Sequence, residues 1–141
     1  MKEKRRGFTL IELLAVIVIL AIIALVATPI VLNLVEKARK GAFARSAEWV
    51  VKSAKTYYTS NLISEEVPNK IVFNCDNIEC KSSDLDEDNN PIKLDVEGNM
   101  GLGSVIITRE GKISILLTNN KYCAVKYETA EKIKVTKGNC S

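Results

Sequence analysis

Four cysteines, at positions 75, 80, 123 and 140, are the residues of this 141-residue chain best suited to covalent chemistry. Histidine is absent, which removes any mechanism needing an imidazole base, a histidine that orients a nucleophile, or an imidazole metal ligand. Four cysteines allow three disulfide connectivities, and the sequence alone does not choose among them. Short closures favour Cys75–Cys80 and Cys123–Cys140, and the second would tie the C-terminal tail to a strand, worth about 3 kcal/mol by chain entropy. A zinc site would need all four thiolates, and the spacing of Cys75 to Cys80 is wide for one. Disulfides, and with them an oxidising compartment, are the better reading.

A second cluster is acidic. Asp84, Asp86 and Asp88 match the first three ligand positions of a calcium loop, and Asp95 falls at the twelfth. Position six is Asn89 instead of Gly, position twelve is Asp instead of Glu, and no helices flank the segment. An exposed acidic loop is expected for residues 84–95, and no metal or cofactor is assigned. With no nucleophile motif and no phosphate-cradling loop either, the chain is read as no enzyme.

The third feature is a lone carboxylate, Glu12, at the mouth of an apolar run. Every residue from Leu13 to Ala27 is apolar, and the run resumes after Thr28 and Pro29 as Ile30-Val31-Leu32. About twenty helical residues span roughly 30 Å, the thickness of a bilayer's hydrocarbon core. A helix hydrophobic all round must be buried in lipid or among copies of itself. There an unpaired carboxylate costs about 2.5–3.5 kcal/mol. A secretory signal peptide or a plain signal anchor would share the basic start and the greasy run. However, no small-x-small cleavage pattern follows the run, and neither reading accounts for Glu12.

Residues 4–27, KRRGFTLIELLAVIVILAIIALVA, resemble the N-terminal motif of type IV prepilins and the related pseudopilins. That motif is a short basic leader ending in Gly, then an aromatic residue, Thr-Leu-Ile/Val-Glu and a long apolar helix. Gly7, Phe8, Glu12 and Pro29 fall where the family has them, and the likeness extends to about residue 45. The resemblance implies cleavage between Gly7 and Phe8 by a prepilin peptidase that also methylates the new amine of Phe8. It implies a leader (1–7), a transmembrane or filament-core helix (8–35) and an extracytoplasmic globular domain (36–141). Glu12 would then pair with the Phe8 amine of an adjacent subunit and set the register of the packed helices. An intrachain pair, four residues apart, is also within reach. Pro29 lacks an N–H and clashes with the Leu25 carbonyl, so a kink or local unwinding is expected.

The function implied is that of a structural subunit of a type IV pilus-like filament. The alternative is a pseudopilin of a type II secretion or competence DNA-uptake system. Implied partners are further copies of the chain in a helical filament, the peptidase/methyltransferase, an assembly ATPase, a platform membrane protein, and the membrane before assembly. Basic residues do not orient the helix, because Lys2, Lys4, Arg5 and Arg6 before it balance Lys37, Arg39, Lys40 and Arg45 after it. The cysteines and the motif favour N-terminus in and C-terminus out, a single pass that later becomes an extracellular or trans-envelope filament.

These features need elements to position them. Past Asn33 the pattern turns amphipathic, with Val35, Ala38, Ala42, Ala47, Val50, Ala54 and Tyr57 recurring at helical spacing. One helix is expected from about Phe8 to about Asn61, ended by residues 60–68 with Pro68 forbidding continuation. Phe43 and Trp49 are expected in the domain core in preference to subunit contacts. Strands are expected at 71–73, 92–96, 104–108, 112–118, 122–127 and 133–135, with hairpin turns at 109–111 and 119–121. The fold class is therefore α+β: a long N-terminal helix packed on a small antiparallel sheet, the pilin-like architecture.

Charge is segregated along the chain. Residues 36–55 carry +4, residues 62–100 carry −7 and residues 112–141 carry +4. Basic and acidic surfaces meeting between copies, or pairing within one molecule, would both serve this pattern. Without residues 1–7 the chain has equal numbers of basic and acidic side chains, which argues against general affinity for nucleic acid. Lys121, Lys126, Lys132, Lys134 and Lys137 make nucleic-acid binding possible but unsupported, since only Phe73, Tyr122 and Tyr127 are aromatic after residue 70.

Overall fold

The computed structural model describes residues 7–62 and 69–140. One α-helix, α1 (Leu10–Asn61, 52 residues), precedes seven strands. The chain forms two compact units, Met1–Ala38 and Arg39–Ser141.

In the first unit every Leu, Ile and Val from Leu10 to Leu34 is exposed. The helix is long and apolar enough to cross a membrane by length and composition. It stays α-helical through Pro29, so the expected local unwinding is absent. Proline deletes one bond, that to the Leu25 carbonyl, while the remaining backbone bonds of the turns on either side hold the helix. The Thr28 hydroxyl adds a bond to the Ala24 carbonyl at 2.6 Å. At the other end the Ser60 hydroxyl and the Asn61 amide both donate to the Tyr57 carbonyl, at 2.8 and 2.9 Å. Pro68, expected to block the helix, lies outside the described residues.

In the second unit the helix buries Phe43, Ala47, Val50, Val51 and Ala54. The buried stripe starts later than the apolar spacing suggests, because Val35, Ala38 and Ala42 are exposed. Phe43 is core as expected. Trp49 is not: it is 57% exposed, which overturns its assignment to the core. At 100° per residue Trp49 lies about 140° around the helix from the centre of the buried stripe, so no rotamer brings the indole inward.

The strands are β1 (Lys70–Cys75), β2 (Cys80–Leu85), β3 (Pro91–Leu94), β4 (Leu102–Thr108), β5 (Ile113–Thr118), β6 (Tyr122–Lys126) and β7 (Lys134–Lys137). They form one antiparallel sheet in the order β3-β2-β1-β4-β5-β6-β7. This is two meanders joined edge to edge, β1 pairing with β4 from Lys70↔Thr108 to Cys75↔Gly103. The sequence reading lacks β2, whose Cys-Lys-Ser-Ser-Asp-Leu carries neither β-branched residues nor clean alternation. Pairing with β1 makes it a strand.

Alternate residues of the central strands face the helix, with Phe73, Val105 and Ile115 aligned across β1, β4 and β5. Tyr57 meets Phe73 edge-on at 5.3 Å between centroids, and Phe43 stacks on Tyr122 at 6.4 Å. The turn after β4 ends on Gly111, at φ 77°, and the Tyr58 hydroxyl reaches over it to the Arg109 carbonyl at 2.9 Å. Both hairpin turns lie where expected, and Asn119 closes the second by accepting from the Tyr122 N–H at 2.9 Å.

Candidate assembly site

At the N-terminal end Gly7 precedes the helix with open space where a Cβ would stand. A residue without a side chain lets a protease approach an extended backbone closely. Phe8 follows at 86% exposure. Thr9 is the helix cap. Its N–H and its hydroxyl both donate to Glu12 Oε2 at 2.7 Å, and Glu12 N–H returns a bond to Thr9 Oγ1 at 3.4 Å. This reciprocal arrangement is a capping box.

The capping box is the part of the site that the sequence reading missed. Its signal was present, since Thr-Leu-Ile-Glu has the S/T-x-x-E spacing at the start of an apolar run. It places the carboxylate one residue from Phe8 and ties it down inside its own chain. The helix consequently begins at Leu10 instead of Phe8. A carboxylate held by two donors at the mouth of an apolar helix is less costly to bury than a free one. It retains a second oxygen for an amine.

The structure thus brings Gly7, Phe8 and Glu12 together at one end of the helix. Pro29 sits far along the same rod, within the exposed apolar stretch. The cysteines are elsewhere, in the sheet unit. Of the three connectivities the structure has Cys75–Cys80 and Cys123–Cys140. The first joins directly paired residues of β1 and β2 across a turn that Asp76 caps, accepting from the Ile78 and Glu79 N–H groups at 2.8 Å. The second ties the tail to β6.

In the acidic segment, Asp86 Oδ1 accepts from the Asp88 and Asn90 N–H groups at 3.0 and 2.8 Å. Residues 86–90 form the hairpin turn between β2 and β3. Among the described residues no group of three or more His, Cys, Asp or Glu side chains is placed to hold a metal ion.

Among the described residues one cation is buried. Lys126, on the helix-facing side of β6, donates to the Ile113 carbonyl at 2.9 Å, just past the end of the β5–β6 ladder. Burial, reinforced by the nearby Lys55 ammonium, holds its pKa below the ordinary lysine value.

The prokaryotic N-terminal methylation motif matches residues 2–28. That match is consistent with the N-terminal segment of type IV pilins and pseudopilins. The matched segment holds the Gly7–Phe8 bond, the capping box and the apolar run up to Thr28. Comparison with curated proteins and with solved structures returned no match.

Proposed function

We propose that the chain is a structural subunit of a type IV pilus-like filament. One observation carries this reading. A continuous helix leaves all its large aliphatic side chains from Leu10 to Leu34 in the open, while the Arg39–Ser141 unit has a complete core of its own. Nothing in that core needs the rod, and the rod cannot remain in water.

The division is a leader at 1–7, a membrane and then filament-core helix at 8–35, and an extracytoplasmic head at 36–141. Cleavage after Gly7 removes the leader's positive charges, which hold that end at the cytoplasmic face. It leaves the Phe8 amine as the one cation near Glu12. The Glu12 oxygen not used by Thr9 pairs with that amine on a neighbouring copy, giving axial register to helices that otherwise pack without direction. Pro29 leaves a carbonyl for neighbours to satisfy. The assembly ATPase and platform protein would draw the subunit from the membrane, N-terminus in and head out. Two disulfides suit an oxidising exterior.

Mass spectrometry of the mature N-terminus tests the reading. N-methylated Phe8 supports it, while an intact Met1 or a start near Thr28 overturns it. Filament length in cells separates a pilus from the short pseudopilus of a secretion or DNA-uptake machine.

A further inference from the structure

Trp49 is the single tryptophan of the chain, and it stands exposed on α1. An indole left in water forgoes the stabilisation that burial of its large apolar surface would bring. Beside it, α1 and the β3 edge of the sheet leave a groove of about 300 Å³, within the size range of small-molecule clefts. Trp49, Lys52, Ser53 and Tyr57 line the groove from the helix, with Lys93 and Asp95 opposite them. A second concavity, lined by Trp49, Asp95, Glu97 and Gly98, reaches the indole from the loop after β3. Gly98 has open space where a Cβ would stand, so nothing crowds that approach.

The polar groups around the indole are of two kinds. Both lysines are engaged: the Lys52 ammonium lies 4.8 Å from the centre of the indole ring, and Lys93 pairs with Glu79 at 3.2 Å. By contrast, the Ser53 and Tyr57 hydroxyls and the Asp95 and Glu97 carboxylates make no hydrogen bond or ion pair with a described residue. Ser53 and Tyr57 are half-buried, and each hydroxyl can both donate and accept. Charge is balanced at the site, with Arg45, Lys52 and Lys93 against Glu48, Asp95 and Glu97. No net field therefore draws an ion of either sign to the indole.

An apolar plane edged by free hydroxyls and carboxylates, without net charge, suits a neutral molecule with one apolar face and a rim of hydroxyl groups. A pyranose ring has that form. Its C–H bonds make a flat apolar patch that covers an indole, and its hydroxyls supply both donors and acceptors.

We propose that the groove between α1 and β3 binds a neutral pyranose, its C–H face on the Trp49 indole and its hydroxyls bonded to Ser53, Tyr57 and Asp95. The Asp95 carboxylate only accepts, so it takes the proton of a ligand hydroxyl, while Ser53 and Tyr57 serve in either sense. The groove is open to solvent, and a single ring binds weakly. Heads repeated along a filament would raise the strength of attachment through multivalency. The site itself does not depend on polymerisation.

Because Trp49 is the only tryptophan, its fluorescence reads the site directly. The test takes the full chain in a detergent without a sugar headgroup and titrates it with the methyl glycosides of glucose, galactose, mannose and N-acetylglucosamine. Sorbitol, which has the hydroxyls without the ring, and tetramethylammonium are the comparisons. At least one pyranoside should shift the emission to the blue and saturate, with half-saturation on the order of 1 mM, the efficiency usual for a ligand of this size. Ser53→Ala and Asp95→Ala should each weaken that binding about fivefold to tenfold. Trp49→Ala, followed by saturation-transfer NMR because the reporter is gone, should abolish it. None of these three residues belongs to the core, so the head keeps its fold in each variant. Absence of a saturable shift with every pyranoside overturns the proposal, as does an equal response to sorbitol or a stronger one to tetramethylammonium. Binding that survives both Ser53→Ala and Asp95→Ala at full strength overturns it as well. So does an emission that shifts when the protein alone is diluted, which would put a second copy of the chain on the indole.

Discussion

Gly111→Ala offers a sharp test of how the second half of α1 is pinned to the sheet. Gly111 sits at φ 77°, and a Cβ there would run into the Tyr58 ring. An alanine in this left-handed region costs about 1–2 kcal/mol. Displacing Tyr58 forfeits its hydrogen bond to the Arg109 carbonyl, about 1 kcal/mol. Part of the ring's burial goes with it, about another 1–2 kcal/mol. The total is about 3–5 kcal/mol, or a fall in Tm on the order of 12 °C or more for a head of this size. Gly98→Ala is the control, since it has φ 93° and open space around the added methyl, so only about 1–2 kcal/mol of strain is expected. The assay is urea unfolding of the head in the detergent-solubilised full chain, read by protease susceptibility. In a Tyr58→Ala background Gly111→Ala should fall to the cost of Gly98→Ala, a coupling of about 2 kcal/mol. Equal costs for the two glycines, or coupling below about 0.5 kcal/mol, would refute the reasoning.

Three further outcomes are expected. Glu12→Ala should insert into the membrane as well as wild type and be cleaved normally, yet lose polymerisation, and normal filaments would reject the pairing role of the carboxylate. Replacing Cys123 and Cys140 together by Ala should cost the head about 3 kcal/mol in urea unfolding, from the chain entropy their bridge removes. Lys126 makes stability depend on pH: its folded pKa lies below 10.5, so between those two values the unfolded chain binds more protons and stability rises with pH. Unfolding curves compared with Lys126→Met should show that rise in wild type alone, and an identical pH slope in both would exclude the lysine as its source.

Features that depend on near neighbours were legible without coordinates. The apolar rod, the N-terminal methylation motif, the reach of α1 to Asn61 and the turns at 109–111 and 119–121 follow from composition, spacing and turn residues. The Thr9–Glu12 box belongs with them, because its partners are three residues apart and its spacing is a recognised start signal. Short loops made Cys75–Cys80 and Cys123–Cys140 the favoured pairs, and only the fold, by laying Cys75 opposite Cys80, decided between three connectivities.

Contacts between distant segments decided the rest. A polar run such as Cys80–Leu85 becomes a strand because β1 offers it an edge, and β1 meets β4 because burying Phe73 beside Val105 outweighs the entropy of closing the intervening loop. The burial of Lys126 and the exposure of Trp49 have the same origin. Helical spacing tells which residues of α1 share a face, but only the sheet selects the face that is covered. The sequence by itself thus determined the rod, the N-terminal methylation motif and the local turns. The tertiary structure alone decided which indole is left exposed and which lysine is buried, because burial is a property of what packs against a residue and not of its immediate neighbours in the chain.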